Sequence, residues 1–127
     1  AVLLEKLTIL DDELDKRIKV DSYYRKHLNN AQYHPKKYSS GHALFSIVLA
    51  SNSKRNDLVE RLSKKNIPSV IYYKFPIHLM EGFQYLEYKP GDFPVSENLS
   101  NSIISLPMHP YLSENDIDFV IETIQRK

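Results

Sequence analysis

The residues of this chain that best suit a binding site are two histidines that lie near prolines. His78 follows Pro76 after a predicted strand, and His109 lies between Pro107 and Pro110 after another. Proline restricts the backbone, so each imidazole is expected to be held in place on its loop. Ligands of open α/β sheets gather at such strand ends. Residue chemistry alone leaves both a binding role and a structural role open for His78.

The other residues with functional chemistry favour structural roles. His27 and His34 are expected at the surface, and His42 as a satisfied histidine at the start of a strand. The acidic run at 11–15 is expected to form a solvated helix face. No histidine pair has the spacing of a metal site, so no metal is predicted. Several tyrosines could stack on a base or a sugar, although their ordinary role is to fill half-buried surface: Tyr72, Tyr73, Tyr85, Tyr88 and Tyr111.

Composition excludes several classes of function. The chain has 127 residues, which fits one domain, and a formal net charge of +1, so nothing indicates nucleic acid or a membrane as a partner. It has no cysteine, which removes disulfides and thiolate metal sites and fits a cytoplasmic protein. Its 3 glycines do not form a phosphate-binding loop.

Strands and helices alternate in the predicted order of elements. The predicted strands cover 42–49, 67–73 and 103–106, each rich in branched or aromatic residues. A long helix precedes them, and shorter helices follow Ser51, Pro76, Pro94 and Ser113. The pattern predicts an α/β fold of the two-layer α+β type, with helices on one face of a small three-stranded sheet.

The long helix is expected to run from the start of the chain to about residue 30. A stripe of apolar residues at spacings of three and four predicts it: Leu3, Leu7, Leu10, Leu14 and Ile18. About 28 helical residues span roughly 42 Å, beyond the ~36 Å width of a domain of this size. The chain also opens without Met or an N-cap, so we expect that residues before Ala1 belong to a parent protein. The alternative is a kinked helix, or two helices meeting near residues 10–12, in a complete small protein.

Three segments together resemble the end of the sugar aminotransferases of the DegT/DnrJ/EryC1/StrS family. Residues 72–78 are similar to the pattern Tyr-Tyr-Pro-x-Pro-Leu-His, with Lys74 replacing its first proline. Residues 91–97 and 105–111 agree closely with the family. Arg17 and Tyr24 stand where the family's connecting helix carries an Arg and a Tyr.

The resemblance implies a fold-type I, pyridoxal-phosphate-dependent, homodimeric enzyme that aminates a nucleotide-linked keto sugar, with glutamate as the amino donor. It implies that 1–30 form a connecting helix and 31–127 a small C-terminal domain. The catalytic lysine and the cofactor contacts would lie in a large domain, so this chain alone is expected to be inactive and to bind no cofactor. The alternative is a stand-alone binding or regulatory module derived from such an enzyme.

The same resemblance implies which residues approach the substrate. Tyr73 and His78 are expected first at the sugar pocket, and Met108 and His109 after them. His78 could donate a hydrogen bond to a sugar hydroxyl or a diphosphate oxygen. Met80 stands where a glutamine is common in the family, so no amide contact is expected from that position.

Overall fold

The computed structural model of the protein describes residues 2–29, 31 and 39–126. Its helices are α1 (Val2–Thr8), α2 (Leu10–His27), α3 (Asn52–Lys64), α4 (Pro94–Ser102) and α5 (Glu114–Gln125). Two strands, β1 (Phe45–Val48) and β2 (Ile103–Leu106), and two 3₁₀ helices, Ile77–Leu79 and Glu81–Leu86, complete the described elements. His34 and most of the loop predicted over 31–41 lie outside the described residues.

The predicted single long helix is wrong, because the chain forms two helices that meet at Ile9. The N–H of Ile9 bonds to the carbonyl of Lys6 at 3.3 Å, three residues back rather than four. The hydroxyl of Thr8 donates to the carbonyl of Glu5 at 2.6 Å, a local bond that competes with the helical ladder. The alternative of a kink or a pair of helices is closer to the structure.

The predicted three-stranded sheet is also corrected, to two antiparallel strands with a single bridge at each edge. Ser46 pairs with Ser105, and Ala31 bridges to Ile47. Within 67–73, Val70 alone pairs, exchanging both backbone bonds with Ser105 at 2.8 and 3.1 Å. Pro68 has no N–H to donate, and the chain turns at 72–73, which leaves room for one bridge.

The core lies between the sheet and helices α2, α3 and α5. Helix α5 contributes Ile117, Val120 and Ile121, and the fully buried side chains come from α2, α3 and the two strands: Tyr24, Phe45, Ile47, Leu58, Leu62 and Ile104. The face of α2 that reaches the core is therefore the one that carries Val20 and Tyr24, and Leu28 continues it just after the helix. It is offset from the predicted leucine stripe, which is largely exposed, with Leu3 at 79% and Leu7 at 62%.

Local signals place the ends of the helices that flank the candidate site. Ser51 caps α3 by accepting from the N–H of Lys54, and Pro94 begins α4. Ser113 and Asp116 cap α5 reciprocally, as the sequence indicates. Within the described part of the chain, no helix combines the length and the apolar content that crossing a membrane requires.

Candidate functional site

A cavity of about 590 Å³ forms where two of the motif segments face each other. One wall comes from Tyr72, Tyr73 and residues 75–77, and the second from residues 92–96. Leu99, Ser100 and Ile103 complete it from the end of α4. Tyr73 is 63% exposed, so its ring is available to a ligand in this space, which we call the Tyr73 cavity.

A single carboxylate joins the two walls of the Tyr73 cavity. Oε1 of Glu97 accepts from Nε2 of His78 at 3.1 Å and from the N–H of Gly91 at 2.8 Å. It also accepts a longer bond of 3.4 Å from the N–H of Phe93. We call these four residues the Glu97 cluster. They connect the turn after residue 90 to the 3₁₀ helix that carries His78.

His78 itself is buried, at 9% exposure, and does not line the Tyr73 cavity. Its ring lies 4.8 Å from that of Phe93, centroid to centroid. It borders a neighbouring cavity of about 330 Å³ that shares Ile77, Phe93 and Ser96 with the Tyr73 cavity. The structure thus brings His78 and Tyr73 close through shared walls, and substrate contact by either residue stays a prediction.

The surroundings of Glu97 favour its ionised form. The N–H of Gly91, more than any other group, holds the pKa of Glu97 below its usual range, and Phe93 N–H and His78 act in the same direction. Partial burial opposes them by raising the pKa. A carboxylate that accepts hydrogen bonds from backbone amides is stabilised as the anion. Glu97 therefore carries a negative charge at neutral pH between the two segments.

The third motif segment, which contains Met108 and His109, lies elsewhere. Met108 packs against the core, whereas His109 is exposed and accepts from the N–H of Tyr111 at 3.2 Å. Neither residue lines the two cavities of about 590 and 330 Å³. The structure therefore does not bring this predicted pair of site residues together with Tyr73 and His78.

Helix α2 anchors that third segment from behind. The buried Tyr24 hydroxyl donates to the carbonyl of Pro107 at 3.2 Å, and burial raises the pKa of Tyr24. The Tyr111 hydroxyl donates to Oε1 of Glu13 at 2.6 Å, and Lys6 donates to the same oxygen at 2.8 Å. We call Glu13, Lys6 and Tyr111 the Glu13 cluster.

Glu13 corrects one expectation from the sequence. The acidic run was predicted to be a solvated face, and Asp11, Asp12 and Asp15 are exposed, but Glu13 is buried at 6% exposure. Its pKa is lowered chiefly by the hydrogen bond from Lys6 and then by that from Tyr111.

Arg55 is a further buried charge that the sequence did not assign to the site. It is 3% exposed, and its Nη1 donates to the carbonyls of Ser100 at 3.2 Å and Ile103 at 3.4 Å. Both acceptors belong to residues that line the Tyr73 cavity. Arg55 thus holds the end of α4 against the sheet. Its position at the start of α3 was visible in the sequence, but its acceptors are backbone groups that no local pattern identifies.

Comparison with known proteins gives consistent matches along the chain. The model of the DegT/DnrJ/EryC1/StrS aminotransferase family matches residues 1–125. A dTDP-3-amino-3,6-dideoxy-alpha-D-galactopyranose transaminase from Aneurinibacillus thermoaerophilus is 28% identical over 127 residues, which cover 99% of this chain and 34% of that protein.

Solved structures show the same fold. A DegT DnrJ EryC1 StrS aminotransferase from Brucella abortus has a TM-score of 0.87 and 42% identity, covering 98% of this chain and 33% of that one. Spr1654 from Streptococcus pneumoniae, solved in a PLP form, has a TM-score of 0.87 at 24% identity, covering 96% of this chain and 33% of that one. The predicted α+β class is confirmed, and the chain spans about a third of the length of the proteins it matches.

Proposed function

Because the chain belongs to the DegT/DnrJ/EryC1/StrS aminotransferase family, we propose that it is the small C-terminal domain of an enzyme that aminates a nucleotide-linked keto sugar. The family depends on pyridoxal phosphate. In this proposal residues 1–30 connect to a large domain and 31–127 form the small one. The span of one third of the matched proteins supports a domain of a longer enzyme, and the dTDP-linked amino sugar in the name of the Aneurinibacillus relative supports a nucleotide-linked substrate.

The cofactor itself does not fit the Tyr73 cavity. Pyridoxal phosphate needs a lysine for its covalent attachment and donors for its phosphate. Among the described residues that line this cavity, Asp92 is the one charged side chain, and its charge is negative. We therefore assign no cofactor chemistry to this cavity. The catalytic lysine is placed in the remainder of the longer protein, and the 127-residue chain alone is expected to be inactive.

The role proposed for this chain is to close one side of the sugar pocket. The observation that carries the proposal is the Tyr73 cavity, built from two motif segments and holding an accessible aromatic ring. Aromatic rings present an apolar face with a polar tip, which suits a sugar or a base. Tyr73 is proposed to contact the nucleotide sugar directly. His78, and more weakly Met108 and His109, are proposed to border the same pocket in the complete enzyme.

The test uses the gene that encodes this sequence, read upstream of Ala1 to its start codon. We expect the complete protein to bind pyridoxal phosphate, to form a homodimer in the cytoplasm and to use glutamate as the amino donor. Its sugar reaction can be followed in reverse, with dTDP-3-amino-3,6-dideoxy-alpha-D-galactopyranose or a UDP-linked amino sugar and 2-oxoglutarate, by the glutamate that forms. A reading frame that encodes no further domain would overturn the proposal.

Tyr73→Ala locates the pocket. We expect a KM for the nucleotide sugar about tenfold higher, because one aromatic contact of roughly 1.4 kcal/mol is lost, and an unchanged KM for 2-oxoglutarate. Tyr85→Ala is the matched control, since Tyr85 is 76% exposed and lines neither cavity. Equal effects of the two variants, or an equal change in both KM values, would contradict the proposed role of Tyr73.

A further inference from the structure

The Glu97 cluster links two motif segments through one oxygen atom. His78 belongs to the first segment, whereas Gly91 and Phe93 belong to the second and directly precede α4. All three donate to Oε1 of Glu97, at 3.1, 2.8 and 3.4 Å. Among the described residues, the bond from His78 to Glu97 is the one hydrogen bond between 72–80 and 91–97, and the bonds from Gly91 and Phe93 hold the same oxygen within the second segment. The position of this oxygen therefore sets how the two segments lie against each other.

The same two segments form the facing walls of the Tyr73 cavity. Tyr73 and Ile77 stand on the first wall, and Phe93 and Val95 on the second. The ring contact of 4.8 Å between His78 and Phe93 adds a packing link next to the hydrogen bonds. A displacement of the Glu97 carboxylate would therefore change the width of the cavity without removing any of the residues that line it.

The carboxylate also determines which nitrogen of His78 carries a proton. An ionised carboxylate only accepts hydrogen bonds, so Nε2 of His78 must be the donor in the 3.1 Å contact. A neutral imidazole with its proton on Nε2 has a bare Nδ1, which is an acceptor. The orientation and the hydrogen-bonding character of His78 thus both follow from Glu97.

We propose that Glu97 is a positioning residue for nucleotide-sugar binding, which fixes the separation of the two walls of the Tyr73 cavity and holds the proton of His78 on Nε2. The inference rests on the proposed function, since it assigns Glu97 to the sugar side of that pocket. Glu97 does not line the cavity, so it acts through Phe93 and His78 rather than on the ligand.

Two substitutions in the complete protein test the assignment. Glu97→Gln keeps the size and an acceptor oxygen but removes the charge and adds an N–H donor. Glu97→Asp keeps the charge and draws the oxygen back by one methylene group. Glu60→Gln is the control, because Glu60 pairs with Lys64 at 2.6 Å on α3 with both side chains largely exposed.

We expect both Glu97 variants to raise the KM for the dTDP- or UDP-linked sugar about tenfold, the scale of one charge-assisted hydrogen bond, and to leave the KM for 2-oxoglutarate unchanged. The ¹⁵N signals of the His78 ring should show the proton on Nε2 in the wild type and a mixture of tautomers in Glu97→Gln. The amide proton of Gly91 should shift upfield in both variants. Glu60→Gln should change none of these signals.

The outcomes separate this inference from the proposed function. Sugar amination by the wild type, with the expected changes in both Glu97 variants, supports both. If the wild type aminates the sugar and the His78 and Gly91 signals change without a change in the sugar KM, Glu97 is a structural residue and the inference fails while the proposed function stands. If the wild type aminates no nucleotide sugar, the proposed function fails and takes the inference with it. Circular dichroism checks that each variant folds. If one of the two Glu97 variants does not fold, the other is sufficient for the kinetic comparison.

Discussion

The Glu97 cluster and the Glu13 cluster solve the same problem with different donors. Each uses one glutamate oxygen to hold a motif segment against the rest of the domain. Glu97 receives two backbone N–H groups and a buried imidazole. Glu13 receives the hydroxyl of Tyr111 and the ammonium of Lys6, a side chain that is 57% exposed.

The difference in donors changes how each cluster responds to its surroundings. Backbone amides are fixed by the fold and do not titrate, so the Glu97 cluster depends on the ionisation of its carboxylate and on the placement of His78. The Glu13 cluster depends in addition on two groups that lose their protons in alkali. The Glu97 cluster also adjoins the Tyr73 cavity, whereas the Glu13 cluster ties a loop to helices α1 and α2. The comparison indicates that the first orders a pocket and the second fastens the connection to the helices.

The largest expected effect on stability comes from Tyr24, an uncharged residue that holds the same loop as the Glu13 cluster. Tyr24 is fully buried, stacks on Phe45 at 4.7 Å and donates to Pro107. Tyr24→Ala should lower the free energy of unfolding by about 3–5 kcal/mol, as expected for a large buried aromatic side chain. Tyr24→Phe should cost only about 1 kcal/mol, the net value of one hydrogen bond. Urea unfolding measures both, and equal losses would contradict a role dominated by packing.

The next largest effect is a difference between Glu13 and Glu97 in how their contributions to stability depend on pH. The pKa values of Glu13 and Glu97 are both lowered, chiefly by Lys6 and by the N–H of Gly91 respectively. Each therefore contributes stability above the ordinary glutamate pKa, and this is lost as the pH falls through the lowered value. The pKa values of Lys6 and Tyr111 are raised chiefly by their hydrogen bonds to Glu13, so their contribution is present below their ordinary values and lost as the pH rises through the raised ones.

The measurement is the Tm of the wild type, Glu13→Gln and Glu97→Gln between about pH 3 and about pH 11, which spans the ordinary carboxyl and phenol ranges. The difference in Tm between the wild type and Glu13→Gln should become smaller at both the acid and the alkaline end of the range. The difference in Tm between the wild type and Glu97→Gln should become smaller in acid alone. A gap for Glu97→Gln that closes in alkali would show that its donors titrate and would remove the distinction between the clusters.

The parts of this fold that the sequence predicted well are those with local causes. The Ser113 cap of α5 and the proline start of α4 depend on neighbours within one helical turn, and both are confirmed. The segment 67–73 had the composition of a strand, but its pairing depends on a distant partner and is interrupted by Pro68. The spacing of hydrophobic residues likewise predicted a helix at the start of the chain. It did not predict which face of that helix packs against the core.

The candidate site divides in the same way. The motif segments around Tyr73 and His78 were identified in the sequence, and the structure places both beside neighbouring cavities. Glu97 lies in the motif segment 91–97, but the contact that suggests its role depends on the position of His78, 19 residues away in the chain. Glu13 was indistinguishable from its acidic neighbours in the sequence, because its hydrogen-bond partner Tyr111 lies 98 residues away.

A smaller effect is expected from removing one donor of the Glu13 cluster. Lys6→Met keeps most of the side-chain stem and removes the ammonium, so the Tm should fall by less than in Glu13→Gln. The loss should shrink as salt is added, because a half-exposed ion pair is screened. The loss in Glu97→Gln should depend less on salt, since two of its donors are backbone amides. Lys64→Met, which breaks the exposed pair with Glu60 on α3, is the control. A salt-independent loss in Lys6→Met would mean that Lys6 acts through packing.

The smallest effect on stability is expected at His109, and it bears on which segment the sugar reaches. His109 is exposed and its ring accepts one bond, from the N–H of Tyr111, so His109→Ala should leave the Tm close to that of the wild type. If the pocket lies on the side of the Tyr73 cavity, the KM of the complete enzyme for the nucleotide sugar should rise less in His109→Ala than in Tyr73→Ala. The reverse order would move the pocket to the loop that the Glu13 cluster holds, and Glu13 rather than Glu97 would then be the carboxylate that positions it.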